Sequence, residues 1–173
     1  MRTGTRPERM VIKPGDFDDD RIKALLTRHL EGMQANSPPG QVFALDWSGL
    51  QTPDISFYAL WEGEELLGFG ALKELDATSG EIKSMRTADA HLREGVAVRL
   101  LDHIIAEARS RGYTRLSLET GSGPAFEPAL ALYRTRGFTD GGAFGGYEQS
   151  AFNQFLHLDL VSPRSVVDRC RFT

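Results

Sequence analysis

Residues 80–111, GEIKSMRTADAHLREGVAVRLLDHIIAEARSR, decide the fold of this chain. The opening GEIKSMRT, residues 80–87, reads as a strand, and residues 95–111 read as a helix. In that helix Ala97, Leu100, Leu101, Ile104, Ile105 and Ala108 share one apolar stripe, while Arg99, Asp102, His103, Glu107 and Arg109 face away. Gly112 suits its end. Between strand and helix, HLREGVAV sets a helix N-terminus, with its unpaired N–H groups and positive dipole end, beside a glycine that permits close approach. Such a turn can cradle a phosphate or pyrophosphate. It carries neither the GxGxxG of a dinucleotide fold nor the GxxxxGK(S/T) of a P-loop, so the alternative is a helix that merely begins at Gly95.

Upstream, residues 16–34 (DFDDDRIKALLTRHLEGMQ) open on acidic residues suited to a helix start and place Ile22, Leu25, Leu26, His29 and Leu30 on one face. The ANSPPG of residues 35–40 stops that helix, and a short helical turn is expected around residues 42–49. Residues 55–61 and 65–75 read as strands of an antiparallel hairpin joined at Glu62, Gly63 and Glu64. Downstream, Leu116 and Leu118 alternate with Arg115, Ser117 and Glu119 in a strand. Pro128 suits the first turn of a following helix and Gly137 its end. A glycine-rich loop at residues 141–146 then leads to a last strand at residues 155–160. The order helix, hairpin, strand, helix, strand, helix, strand predicts an α/β domain with a mixed sheet. Residues 1–173 are read as one domain, with flexible ends at 1–10 and 161–173.

GEIKSMRT (80–87), LREGVAVRLL (92–101) and LALYRTRGF (130–138) follow one another in an order that resembles the GNAT family of acetyl-CoA-dependent N-acetyltransferases. The likeness runs from about Phe57 to Leu160, and LETGSGPAFEPALALY resembles a bacterial subgroup of small stand-alone enzymes. It implies the GNAT fold: a mixed, mostly antiparallel sheet flanked by helices. The family's pyrophosphate loop reads Gln or Arg, two residues, Gly, one residue, then Gly or Ala; Gly95 and Ala97 fill the last two positions, and Leu92 stands at the first. The resemblance therefore implies an acetyl-CoA cradle from the backbone amides of Arg93, Glu94, Gly95, Val96, Ala97 and Val98. It also implies that the backbone of Met85, Arg86 and Thr87 pairs with the pantetheine arm where the sheet splays open, with Arg86 a candidate substrate contact. A second family pattern places Phe126 where Asn is usual, and Ala129, Leu132, Tyr133, Gly137 and Phe138 in register. Phe126 and Ala129 then belong to the cofactor site. Tyr133 matches the residue that protonates the departing thiolate, a role open to a phenol that is protonated at neutral pH.

The amine must lose a proton before it attacks, and Glu81 and Glu119 are the carboxylates available at strand ends, Glu119 being preferred. The alternative for each is a solvated charge at a strand edge. His29, His91, His103 and His157 read as surface or strand-face histidines, and Ser117 and Ser122 have no His and Asp partners at a hydrolase spacing. Phe144 and Tyr147 either close over an acceptor, together with residues 35–47, or pack on the sheet.

With 40% hydrophobic and 25% charged residues, the 173-residue chain has the composition of an ordinary globular protein, large enough to bury roughly 70% of its unfolded surface without staples. Its lone Cys170 and the absence of paired His spacing argue against disulfides and structural zinc, and no metal is expected. The first residues, MRTGTRPERMVIKPGD, lack the apolar core of a signal peptide, and no stretch approaches the ~20 apolar residues of a membrane span. A cytoplasmic location follows as the expectation. A net charge of −4 argues against nucleic acid as a partner. The reading that results is an N-acetyltransferase moving the acetyl group of acetyl-CoA to a primary amine of a small molecule or peptide, by direct attack in a ternary complex. A noncatalytic acyl-CoA-binding or regulatory domain is the alternative, and a nucleotide-binding α/β domain of another family the third. Small domains of this family often pair, so a homodimer is an expectation that no surface pattern specifies.

Overall fold

The computed structural model describes residues 9–43 and 45–160. Seven strands follow the order β1-β2-β3-β4-β5-β7-β6 in one mixed sheet: β1 (Met10–Pro14), β2 (Ile55–Glu62), β3 (Glu65–Asp76), β4 (Ser79–Thr87), β5 (Arg115–Thr120), β6 (Thr139–Asp140) and β7 (Gln154–Asp159). Three helices flank it: α1 (Asp20–Asn36), α2 (Val96–Ser110) and α3 (Glu127–Thr135). The chain divides into two compact units, one built on residues up to Lys73 together with Ile82–Ile104, the other on Glu74–Glu81 together with residues from Ile105 onward.

In the first unit the β2–β3 hairpin pairs from Ile55↔Lys73 to Glu62↔Glu65, with a register shift between Leu60 and Trp61, both of which are buried. One face of the hairpin packs Phe57, Ala59, Trp61, Phe69 and Ala71 against Ile22 and Leu26 of α1. The other packs Leu60 and Leu67 against Val96 and Leu100 of α2. Period-2 alternation in the strands and the i, i+4 stripes of the helices produce these two layers.

Of residues 1–10, read as a flexible end, 1–8 lie outside the described residues and Met10 opens a strand. Residues 10–14 form β1, paired antiparallel with β2 from Met10↔Glu62 to Pro14↔Tyr58, and Met10 is buried. Five residues at a sheet edge carry too little alternation to show as a strand; the pairing with a segment some fifty residues later creates it. α1 begins at Asp20 rather than within the acidic run, because Asp19 caps it through the Arg21 N–H at 2.9 Å while Asp16 accepts from the Asp18 N–H in a preceding turn. The helical turn expected near residues 42–49 lies at Gly49–Gln51, set by the Asp46 carboxylate accepting from the Gly49 N–H.

In the second unit β5 and β7 pair antiparallel from Arg115↔Asp159 to Thr120↔Gln154, and β6 adds two residues at the edge. The first three residues of β4 pair with β5 in parallel, Ser79↔Arg115 to Glu81↔Ser117. Leu116, Leu118, Leu130, Phe138, Phe155 and Leu156 are buried in this unit. The tail from residue 161, including Cys170, lies outside the described residues.

Candidate active site

In the first unit, β4 passes through a single helical turn at Asp89–His91 and reaches α2 through residues 92–95. Two residues of that short link lie in the left-handed region, Arg93 at φ 63° and Gly95 at φ 83°. Arg93 lacks glycine's freedom there and holds an uncommon conformation. Gly95 relieves the second such position. The first backbone bond into α2 runs from the Arg99 N–H to the Gly95 C=O at 3.1 Å, so the amides of Val96, Ala97 and Val98 precede the helical ladder. Turn amides gathered at the positive end of a 15-residue helix are suited to an anion. Leu92, 58% exposed, contributes no charge to this turn.

His91 fixes the turn. Its Nε2 lies 2.6 Å from Oε1 of Glu65 and its Nδ1 2.8 Å from Oε2 of Glu94, and these carboxylates raise the ring above the ordinary histidine range. The sequence reading of His91 as a surface residue is corrected: its side chain is 13% exposed and ties the start of β3 to the turn. Behind the turn, Met85, Arg86 and Thr87 are half-buried, and Arg86 donates from Nη2 to Asp89 at 3.3 Å.

In the second unit Tyr133 of α3 is buried, its ring 5.7 Å from that of Phe138, and burial pushes its phenol up to about 12. Phe126, at the N-cap of α3, is buried edge-to-face against Phe152, which is where an apolar residue at that position belongs; Ala129 is half-buried one turn on. Glu119 is half-buried in β5. Glu81 is no solvated edge charge: it is 2% exposed and accepts from the Tyr147 hydroxyl at 2.6 Å. Burial, then Glu81, raise the Tyr147 phenol far above its usual value, and Glu119 adds to the effect. Phe144 and Tyr147 pack on β7, Phe144 against Phe155 and His157.

His157 is likewise buried rather than on a free strand face, and Ser117 has the histidine partner its spacing concealed, with Oγ 2.8 Å from Nδ1. Ser117 and His157 are register partners on β5 and β7. Nε2 donates to the Gly142 C=O at 2.8 Å, so Nδ1 accepts from the serine. A carbonyl replaces the carboxylate of a hydrolase triad, and the pair ties the glycine-rich loop to the sheet. Among the described residues no group of three His, Cys, Asp or Glu side chains is placed to hold a metal ion, and no helix is long and apolar enough to cross a membrane.

A parallel β4–β5 pair after an antiparallel hairpin, with a left-handed amide turn opening α2, is the arrangement of acyl-CoA N-acyltransferases. The family model described as Acetyltransferase (GNAT) family matches residues 22–138. The chain is 49% identical over 147 residues to a Bacillus subtilis (strain 168) protein named Uncharacterized N-acetyltransferase YsnE, covering 85% of this chain and 97% of that one. It is 44% identical over 150 residues to Uncharacterized N-acetyltransferase YedL of Escherichia coli (strain K12), covering 87% and 94%. Among solved structures, a Bacillus subtilis acetyltransferase in complex with CoA superposes with a TM-score of 0.65 at 21% identity, covering 88% of this chain and 99% of that one, a likeness of fold. The chain belongs to the GNAT acetyltransferase family, and it is an acyltransferase.

Proposed function

We propose that this enzyme transfers the acetyl group of acetyl-CoA to a primary amine of a small molecule or peptide, by direct attack in a ternary complex. The observation that carries the reading is the turn at residues 92–95, whose left-handed Arg93 and Gly95 lead into the open first amides of α2. That geometry fits a pyrophosphate. The amides of Arg93, Glu94, Gly95, Val96, Ala97 and Val98 hold it, and the backbone of Met85, Arg86 and Thr87 pairs with the pantetheine arm. Phe126 and Ala129 give that arm apolar contact in place of an amide.

Acetyl-CoA supplies an activated acyl thioester. The amine nitrogen bonds to the acetyl carbon and the carbon–sulfur bond breaks; nitrogen sheds one proton before the attack and a second as the amide forms, and that second proton goes to the departing sulfur, so that CoA leaves as its thiol. An ammonium of pKa roughly 8 to 10 must first be neutralised. Glu119, half-buried, takes that proton through water, while Glu81 is engaged by Tyr147. Tyr133 donates to the sulfur as it gains charge.

The test is release of CoA thiol with acetyl-CoA and a panel of primary amines. Amine-dependent release above the amine-free background is the expected result. The burial of Phe126, in place of a polar contact, favours a second reading, an acyl-CoA-binding regulatory domain. Bound acetyl-CoA with no release across the panel establishes that reading instead.

His91 makes the cradle pH-sensitive. Because its folded-state pKa is raised, the cationic clamp on Glu65 and Glu94 is complete below the ordinary histidine value and is lost as pH rises through the raised one. Glu65 is mostly exposed, so screening keeps the effect modest. The KM for acetyl-CoA is expected to rise about threefold between roughly pH 6 and pH 9, and His91→Gln to show the higher KM throughout. A His91→Gln profile that still follows the wild type removes His91 from the cradle.

A further inference from the structure

A cleft of about 800 Å³ lies between α1 and the β2–β3 turn in the first unit, a volume within the range of small-molecule sites. Arg21, Leu25 and Arg28 line it from α1, and their spacings of four and three put them on one face of that helix. Glu64, Glu65 and Leu66 line it from the hairpin, and Ala88, just after β4, completes the wall. No residue assigned above to proton transfer lines this cleft.

Its charges are separated along α1. Residues 21 and 28 are about two helical turns apart, roughly 10 Å along the axis. Arg21 donates to the Asp19 carboxylate at 2.7 Å and to the Glu64 C=O at 2.6 Å, and its guanidinium lies 4.4 Å from the centre of the Trp61 ring. Asp19 therefore meets the charge of Arg21, and Glu64 adds a further carboxylate at that end. At the other end the balance reverses, because Nε of Arg28 at 3.1 Å and Nη2 of Arg86 at 3.3 Å share the single carboxylate of Asp89. Arg28 uses only Nε for that bond, which leaves its two Nη nitrogens for a second acceptor. Leu25 and Leu66 line the cleft with apolar surface. A cationic end, an anionic end and an apolar lining match a molecule that carries an ammonium and a carboxylate on an apolar chain.

We propose that this cleft is an effector site for such a zwitterion, with its carboxylate on Arg28 and its ammonium on Glu64 and Glu65, and that occupancy lowers the affinity for acetyl-CoA. The link is Glu65. It lines the cleft and also lies 2.6 Å from His91, whose other ring nitrogen holds Glu94 of the 92–95 turn at 2.8 Å. An ammonium on Glu65 competes with His91 for that carboxylate and loosens the turn, and the coupling is reciprocal. The site stands on the cleft alone; its effect rests on the reading of residues 92–98 as the acetyl-CoA cradle.

The test is calorimetric titration of the full chain in low-salt buffer with the series of ω-amino acids from 4-aminobutanoate to 8-aminooctanoate, each matched by the alkylamine and the carboxylic acid of the same length. CoA replaces acetyl-CoA in the coupling experiments, so that no acetyl group is consumed. At least one ω-amino acid is expected to bind with a Kd of about 1 mM or below, and at least about tenfold more tightly than either matched ion. Arg28→Gln and Glu64→Gln, both at exposed positions, are each expected to weaken it at least about fivefold and to leave the Kd of CoA within about twofold. The saturating ω-amino acid is expected to raise the Kd of CoA about threefold, and saturating CoA to raise that of the ω-amino acid by the same factor, with the coupling lost in His91→Gln. An alkylamine that binds as well as its ω-amino acid marks a merely acidic surface and overturns the proposal. So does a series in which nothing binds, binding that neither substitution weakens, or binding that leaves the Kd of CoA unchanged. No CoA binding at all removes the cradle reading, and the matched series on the wild type still decides the cleft.

Discussion

Tyr133→Phe is expected to lower kcat at least about tenfold while leaving acetyl-CoA affinity within about twofold. The substitution removes one oxygen and keeps the ring that packs on Phe138, so α3 should retain its place in the second unit. What is lost is a donor. Burial holds the Tyr133 phenol near 12, so it is protonated at neutral pH. A free thiol ionises near 8.5, so complete transfer from such a phenol to a thiolate runs uphill by roughly 3 to 4 pK units. On the proposed mechanism Tyr133 is a hydrogen-bond donor to sulfur as the carbon–sulfur bond breaks, an interaction made in the transition state and absent from the bound thioester. Tenfold corresponds to about 1.4 kcal/mol, within the range of one hydrogen bond to a charged group. Steady-state kcat and a calorimetric Kd on the same variant separate the two terms. An unchanged kcat removes Tyr133 from the mechanism.

The parts of this molecule that local chemistry determines were readable from the residues. The stripe from Leu100 to Ala108, the Gly63 hairpin and the Pro128 helix start all depend on neighbours within a few positions, and each element lies within two residues of its expected bounds. The helix start beside Gly95 was readable for the same reason, and the structure adds that its backbone is left-handed. Contacts between distant segments were not. β1 exists because Met10 meets Glu62, and Ser117 finds His157 because two strands pair in one register out of several. Glu81 looked like an edge charge because nothing near it in the chain indicates that Tyr147, 66 residues later, closes over it. His91 read as a surface histidine because one of its two carboxylates comes from Glu65, 26 residues away. Arg86 was legible only as a candidate substrate contact; its packing against Gly32 of α1 could not be read from its own strand.

Gly95→Pro is expected to weaken acetyl-CoA binding by at least about a hundredfold in a protein that still folds. At φ 83°, Gly95 holds a backbone that proline, locked near −65°, cannot adopt, and proline also removes one of the amides of the proposed cradle. The obstacle is torsional rather than steric, since a Cβ at this position meets no atom within 4 Å. α2 begins one residue later, at Val96, and proline is tolerated at a helix start, so the apolar stripe and the core beneath it should persist. Gly95→Ala adds the Cβ in open space at a cost of about 1 kcal/mol for the left-handed backbone and keeps the amide, so it should fall between the two.

The most direct test of the account is a calorimetric titration of wild type and Gly95→Pro with acetyl-CoA, with NAD and ATP as controls and circular dichroism to establish that both proteins are folded. Saturable one-site binding of acetyl-CoA to the wild type is expected, with binding of NAD and ATP at least about tenfold weaker and loss of acetyl-CoA binding in the folded variant. A folded wild type that does not bind acetyl-CoA, or a Gly95→Pro variant that binds it as well as the wild type does, contradicts it.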